Sequence, residues 1–303
     1  MKKKRSWVFL YHHLKSDKWS LPKGFSETLS NKGLKIFDFI FENDYELKLP
    51  DKAFIEENNI EVLLIFYAGY SEKLNYELIK FRYKFPKVII INELGDEPQT
   101  KCFNYIRASL SDICLSPDFE SQQYWKKKGF NCKWFTHWAD SKIFYLQNHG
   151  KREFFLSTTM GKRKYNFFLK MILGNLYKNK SLEGFENNLF YNNSQNAFQY
   201  ARWDEITRRI FEASACGCCV LTNNISKKKN LENIFNHNES IIFYKNRFSL
   251  LIEILKLFKN RNKSRRIGKT AAYIVEKYHT DKIRANQLVE YVNEFKDKSK
   301  NFL

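Results

Sequence analysis

The sequence predicts an α/β protein built of two Rossmann-like domains facing across a cleft, and three observations predict it. Short, almost continuously apolar runs, such as Glu61 to Tyr67 and Lys87 to Asn92, alternate with segments of helical periodicity. That is the pattern of parallel strands covered by helices on both faces. The alternation is interrupted by a polar stretch, 140–151, and then restarts. Finally, 303 residues of which 43% are hydrophobic exceed what a single core usually organises. The expected division is 1–148, 149–280, and a C-terminal helix, 281–303, packing back toward the first domain.

The elements follow in order. Trp7 to Tyr11 reads as a buried strand, and the helix Lys23 to Leu29 stops near Gly33. Leu34 to Phe41 is a strand, Asp51 to Asn58 a helix, and Glu61 to Tyr67 a strand buried on both sides. A helix over Glu72 to Tyr83 precedes Pro86 and the strand Lys87 to Asn92. Helix Cys102 to Leu110, strand Asp112 to Leu115, helix Phe119 to Lys128 and strand Phe130 to Phe135 complete the first half. In the second half, strand Arg152 to Thr158 precedes helix Tyr165 to Tyr177 and a weak strand at Asn188 to Tyr191. Asp204 to Ala215 is an amphipathic helix ended by Gly217, followed by strand Cys218 to Thr222. A helical turn at Leu231 to Phe235, strand Ser240 to Tyr244 and helices Phe248 to Phe258, Lys263 to Tyr278 and Asp281 to Phe295 finish the chain.

Composition excludes several classes. No run approaches the ~20 apolar residues that span a bilayer, and Trp7 to Tyr11 is too short for a secretory core, so the expected location is the cytoplasm. Three of the six cysteines crowd into Cys216-Gly217-Cys218-Cys219, too tight for zinc pairing and without a partner cluster. They read as small apolar filler. The formal charge of +19 suits an anionic membrane surface or a phosphate-bearing substrate, or reflects a lysine-rich composition. Nucleic acid is not expected, since the basic residues are scattered and no finger spacing or RNP pattern occurs.

The segment Arg208 to Thr222 carries the chemistry. On one helix, Asp204 and Glu212 would project from the same face a little over two turns apart, suited to gripping the hydroxyls of a sugar or ribose. Gly161-Lys162-Arg163 follows the first strand of the second half and opens a helix, a natural anion site. His12 and His13 end the first strand, and Asp96 follows Gly95 at the end of another, all at a cleft edge. Either they contact sugar or acceptor, with Asp96 or His13 in a catalytic role, or they are ordinary loop residues. His137 and Asp140 stand at the expected hinge, where they would line the cleft.

Asp204, Glu212-Ala213, Ala215, Gly217 and Val220, led by Arg209 in Arg-x-Phe-Glu-Ala, resemble the donor-binding domain of GT-B glycosyltransferases of the CgeB-like branch. Asn238-Glu239-Ser240-Ile241, Tyr278-His279-Thr280, Leu115-Ser116-Pro117-Asp118 and His137-Trp138-Ala139-Asp140 resemble other segments of that family. The resemblance implies a retaining transferase that needs no metal or other cofactor, with a nucleotide-sugar as co-substrate and a glycan or lipid-linked acceptor, working in surface polysaccharide or glycoconjugate synthesis. It assigns Glu212 to the ribose, Asp204 to the donor sugar, and Arg208, Arg209, Lys162 and Arg163 to the diphosphate. Asp204 stands where the family has Glu, and the family's glycine-rich loop is absent after the first strand. The alternative is a non-catalytic nucleotide-sugar or glycan-binding protein with a degenerate fold of this kind.

Overall fold

The computed structural model describes residues 5–14, 18–66, 69–97, 99–147, 152–159, 163–201, 204–225 and 230–300, with Arg163 by its backbone alone. The chain divides into two compact units, one of Met1–Thr136 with Arg284–Leu303 and the other of His137–Ile283. The division falls at Thr136, ahead of the boundary at 148 that the polar stretch suggests.

The first unit is a six-stranded parallel sheet formed by β1 (Ser6–His12), β2 (Lys35–Phe41), β3 (Ile60–Phe66), β4 (Ile89–Glu93), β5 (Ile113–Ser116) and β6 (Cys132–Trp134), in the order β2-β1-β3-β4-β5-β6. Its crossovers are α1 (Leu21–Asn31), α2 (Lys52–Asn58), α3 (Glu72–Lys84), α4 (Lys101–Leu110) and α5 (Phe119–Lys127). Ser20, Asp51 and Ser71 each accept a hydrogen bond from a backbone N–H of the helix they open, which satisfies one of the donors that every helix start leaves free. The strand order reverses between β1 and β3, so the carboxyl ends of these two strands flank the crevice where such sheets take ligands.

The second unit is a five-stranded parallel sheet formed by β7 (Phe154–Thr159), β8 (Tyr177–Lys180), β9 (Ser194–Gln199), β10 (Cys219–Asn223) and β11 (Ile242–Tyr244), in the order β11-β10-β9-β7-β8. Its helices are α6 (Arg163–Leu173), α7 (Gly184–Asn192), α8 (Arg208–Ala215), α9 (Arg247–Lys259) and α10 (Arg261–Tyr278). Here the order reverses between β7 and β9. Leu169 of α6, Leu250, Ile254 and Leu257 of α9 and Ile267 of α10 share one buried cluster with Leu156, Phe198 and Leu221 of the strands. The last helix, α11 (Asp281–Lys300), begins in the second unit and continues in the first. There Arg284 donates to the Thr136 carbonyl at 2.8 Å and Lys296 to Glu61 at 2.6 Å.

Two readings of the second half are corrected, and one strand is added. Asn188 to Tyr191 is not a strand but part of α7. Asn192 donates there to the side chain and the carbonyl of Asn188, one turn earlier, a local bond that holds a helix of low intrinsic propensity. Strand β9 comes next and was not anticipated, because its sequence Ser-Gln-Asn-Ala-Phe-Gln lacks an apolar run. It is nonetheless buried throughout. Asn196 makes that possible, donating to the Phe155 carbonyl at 2.8 Å and accepting from Ser264 at 2.5 Å, so that its polar groups cost little to bury. The helix expected from Asp204 starts only at Arg208, because Thr207 is extended at its N-cap.

Candidate functional site

The site is built around α8. Ile210 and Phe211 anchor the helix in the core with no exposed surface, and Gly217 ends it at φ +71°. A Cβ on Gly217 would meet Leu146 at 2.7 Å, and one on Gly268 would overlap the Gly217 carbonyl oxygen. The turn is therefore set by backbone packed against backbone. Arg152 ties it down, donating to the carbonyls of Cys216 at 2.7 Å and Ser194 at 2.5 Å. The cysteines here are free and buried. Burial pushes the Cys218 thiol up to about 11 against the pull of Arg152, which leaves it protonated and unreactive near neutrality.

Glu212 is 2% exposed. Arg208, one turn earlier, brings Nε to 3.4 Å from Oε1, and Asn187 of α7 brings Nδ2 to 3.4 Å from Oε2. The ion pair lacks hydrogen-bond geometry, so the buried Oε1 has no hydrogen bond to any described residue. Burial holds the Glu212 carboxyl above its ordinary range; Arg208 and Arg209 draw it back down, and Glu183 raises it. Arg208 also pairs with Glu183 at 3.6 Å. A buried carboxylate with spare acceptor capacity is costly unless something donates to it.

Tyr191 of α7 lies in the field of Glu212 and is bonded to the sheet. Its hydroxyl lies 2.8 Å from Thr159 Oγ1, at the end of β7, and accepts from Gln199 Nε2 at 3.2 Å, at the end of β9. These strand ends flank the reversal of strand order, where an open α/β sheet leaves its crevice. Burial raises the Tyr191 phenol, Glu212 raises it further and Arg209 lowers it, so the carboxylate, the guanidinium and the phenol share one field. Asn187 Oδ1 and Ser214 Oγ are also buried without a hydrogen bond among the described residues. Sequence reading missed Asn187 and Tyr191 because it placed a strand there; the helical spacing of Asn187, Asn188, Tyr191 and Asn192 was the available signal.

The other anticipated residues fall as follows. Asp204 is exposed and sits at φ +56° four residues before α8, so it does not share a helical face with Glu212. Thr207 and the buried Ile206 hold the chain extended before the helix can start. Gly161 and Lys162 lie outside the described residues, as does the Arg163 side chain; Arg163 is the first residue of α6. His137 is half-buried, while Asp140 is 1% exposed and caps its own turn, accepting from the backbone N–H of Lys142 at 3.0 Å.

Three anticipated residues belong to the first unit. His12 ends β1, its Nε2 3.0 Å from the Glu42 carbonyl and its ring against Phe41. It lines a cavity of about 440 Å³ with Asp44, Tyr70 and Ser71. His13 is buried, and its Nδ1 has no hydrogen bond to a described residue. Asp96 is exposed at φ +55°. The buried carboxylate beside it is Glu97, which accepts from Trp125 Nε1 at 2.7 Å and Asn104 at 3.1 Å. Among the described residues no three His, Cys, Asp or Glu side chains converge as metal ligands, and no helix is long and apolar enough to cross a membrane.

Residues 143–290, which contain Glu212 and its neighbours, match the family model described as glycosyl transferase-like. Sucrose-phosphate synthase from Thermosynechococcus elongatus has a similar structure, at 11% identity and a TM-score of 0.70 over 96% of this chain and 100% of that one. HepE from Anabaena in complex with UDP is similar at 12% identity and a TM-score of 0.67, over 96% and 100% of the two chains. A glycosyltransferase from Rickettsia africae is similar at 11% identity and a TM-score of 0.60, over 96% and 98%. No curated protein sequence matches the chain. At these identities the structural likeness is one of fold, and the fold is that of the GT-B glycosyltransferases.

Proposed function

We propose that this protein transfers a sugar from a nucleotide-sugar to a glycan or lipid-linked acceptor, as a retaining, metal-independent enzyme of the CgeB-like branch in surface polysaccharide or glycoconjugate synthesis. The observation that carries the reading is Glu212, a buried carboxylate with an oxygen free to accept, in the field of two arginines and of Tyr191, which bonds the strand ends at the reversal. A ribose cis-diol supplies the two donors such a carboxylate lacks, each charge-assisted bond contributing roughly 1.5–3 kcal/mol. Arg208 and Arg209 lead α8 and stand beside the carboxylate; with the amino end of the helix they offer the diphosphate positive charge. In transfer, that charge stabilises the departing nucleoside diphosphate, while the protein orients sugar and acceptor.

HepE was solved with UDP, which makes uracil the first base to test. Peripheral contact with an anionic membrane on the cytoplasmic side belongs to the same reading, given a net charge of +19 and an acceptor carried on lipid. The test is a thermal-shift screen with UDP-, GDP-, ADP- and CMP-sugars. A donor at a hundred times its Kd is expected to add about 2.7 kcal/mol of stability. No response to any donor would overturn the reading. Release of free sugar from the responding donor separates an enzyme from a binding protein.

A further inference from the structure

We infer that the outward face of α6 and α9 in the second unit is a docking surface for an anionic phospholipid bilayer. The inference rests on the membrane contact proposed above and names the surface that makes it. The two helices lie on the same side of their sheet, since their inner faces enter one core cluster. Arg247, at the start of α9, stacks over Tyr165 and Phe168 of α6 at 5.5 and 5.8 Å.

Their outer faces are unusual for a protein surface exposed to water. On α6, Phe167 is 73% and Met171 67% exposed, one turn apart. On α9, Phe248 is 72% exposed and heads a stripe continued by Ile252 and Leu255, at the i, i+4, i+7 spacing of a helix face. Single exposed apolar residues need no explanation, but five on two neighbouring helices form a patch. The exposed charge on these two helices has one sign. Lys164 and Lys170 flank the α6 pair, and Lys256 and Lys259 flank the α9 stripe; all four are exposed. The acid of these helices is Glu253, which is buried at 9% exposure and bonded to Lys256 at 2.7 Å.

Aromatic and aliphatic side chains ringed by lysines suit the boundary between headgroups and acyl chains of an anionic leaflet. The apolar groups enter, and the lysine stems lie along the interface with their ammonium groups at the phosphates. Charge complementarity selects this occupant over a second copy of the chain, because face-to-face pairing would bring like charges together.

The experiment is co-sedimentation with vesicles of phosphatidylglycerol and phosphatidylcholine in equal parts, and with phosphatidylcholine alone, at low and high salt. The full chain is expected to bind the anionic vesicles, and to release when salt screens the lysines. F167E/F248E and K164E/K170E, which change exposed residues only, are each expected to weaken binding by about tenfold or more. Y83E, on an exposed residue of the first unit, is expected to bind normally. Absence of binding to anionic vesicles, or normal binding by both double variants, overturns the proposal. So does a concentration-dependent dimer that F167E/F248E abolishes, because a second copy would then cover the face. The donor-induced thermal shift, read on the same variants, is expected to persist. In the unmodified chain, no binding to anionic vesicles with an intact donor shift sinks the docking face alone, and the absence of any shift with normal vesicle binding sinks the transferase reading alone.

Discussion

Arg208 and Glu212 stand one turn apart on α8, with Nε 3.4 Å from Oε1, yet the carboxyl remains above its ordinary range. Desolvation thus outweighs the attraction of both neighbouring arginines. The pair is a preformed acceptor rather than a stabilising salt bridge, because the buried oxygen is left without a hydrogen bond.

A pH-dependent stability follows. The folded state holds the Glu212 proton to higher pH than the unfolded chain does. The associated stability is complete below the ordinary carboxylate range and is lost as pH rises through the raised folded value. At neutral pH the ionised group therefore weakens the fold. Glu212→Gln is expected to unfold at higher urea than the native chain near neutrality, with the gap closing toward about pH 4. The same variant, and Glu212→Ala, should lose the donor-induced thermal shift. A normal shift in either would mean that Glu212 does not hold the ribose.

Arg209 acts on both Glu212 and Tyr191 through its charge. Arg209→Ala is expected to weaken nucleotide-sugar binding by about tenfold to a hundredfold, the equivalent of one or two charge-assisted bonds. Calorimetry with UDP and with uridine separates the roles. If the guanidinium meets the diphosphate, the loss appears with UDP and not with uridine.

Asp204 sits on an exposed bend at φ +56° rather than on the helix face of Glu212. Asp204→Ala is expected to leave the response to UDP intact and to lower turnover with the complete donor. An equal loss of UDP binding in Asp204→Ala and Glu212→Ala would show that the two act as one grip. Asp204→Val places a β-branched residue in left-handed backbone and should cost about 1–2 kcal/mol of stability in urea unfolding.

Gly268 of α10 packs where a methyl group would strike the Gly217 carbonyl, which ends α8. Backbone cannot yield as a flexible side chain does, so Gly268→Ala is expected to destabilise by about 2–3 kcal/mol or more. Because that contact fixes the end of α8, donor affinity should fall as well. Urea unfolding without ligand and thermal shift with donor measure the two effects separately.

Most of the first unit was legible because its strands carry their own signal. Val62 to Phe66 and Ile89 to Ile91 are apolar without interruption and buried in the sheet. The site was legible only in part. Arg208, Arg209 and Glu212 are neighbours along one helix, so the sequence brings them together. Asn187 and Tyr191 come from a helix read as a strand, and β9 hides its burial behind Gln195 and Asn196, whose partners lie far along the chain.

By itself, then, the sequence determined the alternation of strands and helices, the glycine stop at Gly217 and the carboxylate flanked by arginines, because each depends on residues within a few turns of one another. Tertiary structure decided which polar groups are buried and which of them have partners. It released Asp204 from the helix, because Thr207 is held extended over the buried Ile206. It also set Tyr191, bonded to the ends of β7 and β9, within the field of Glu212, since contacts between distant segments exist only once the sheet has formed.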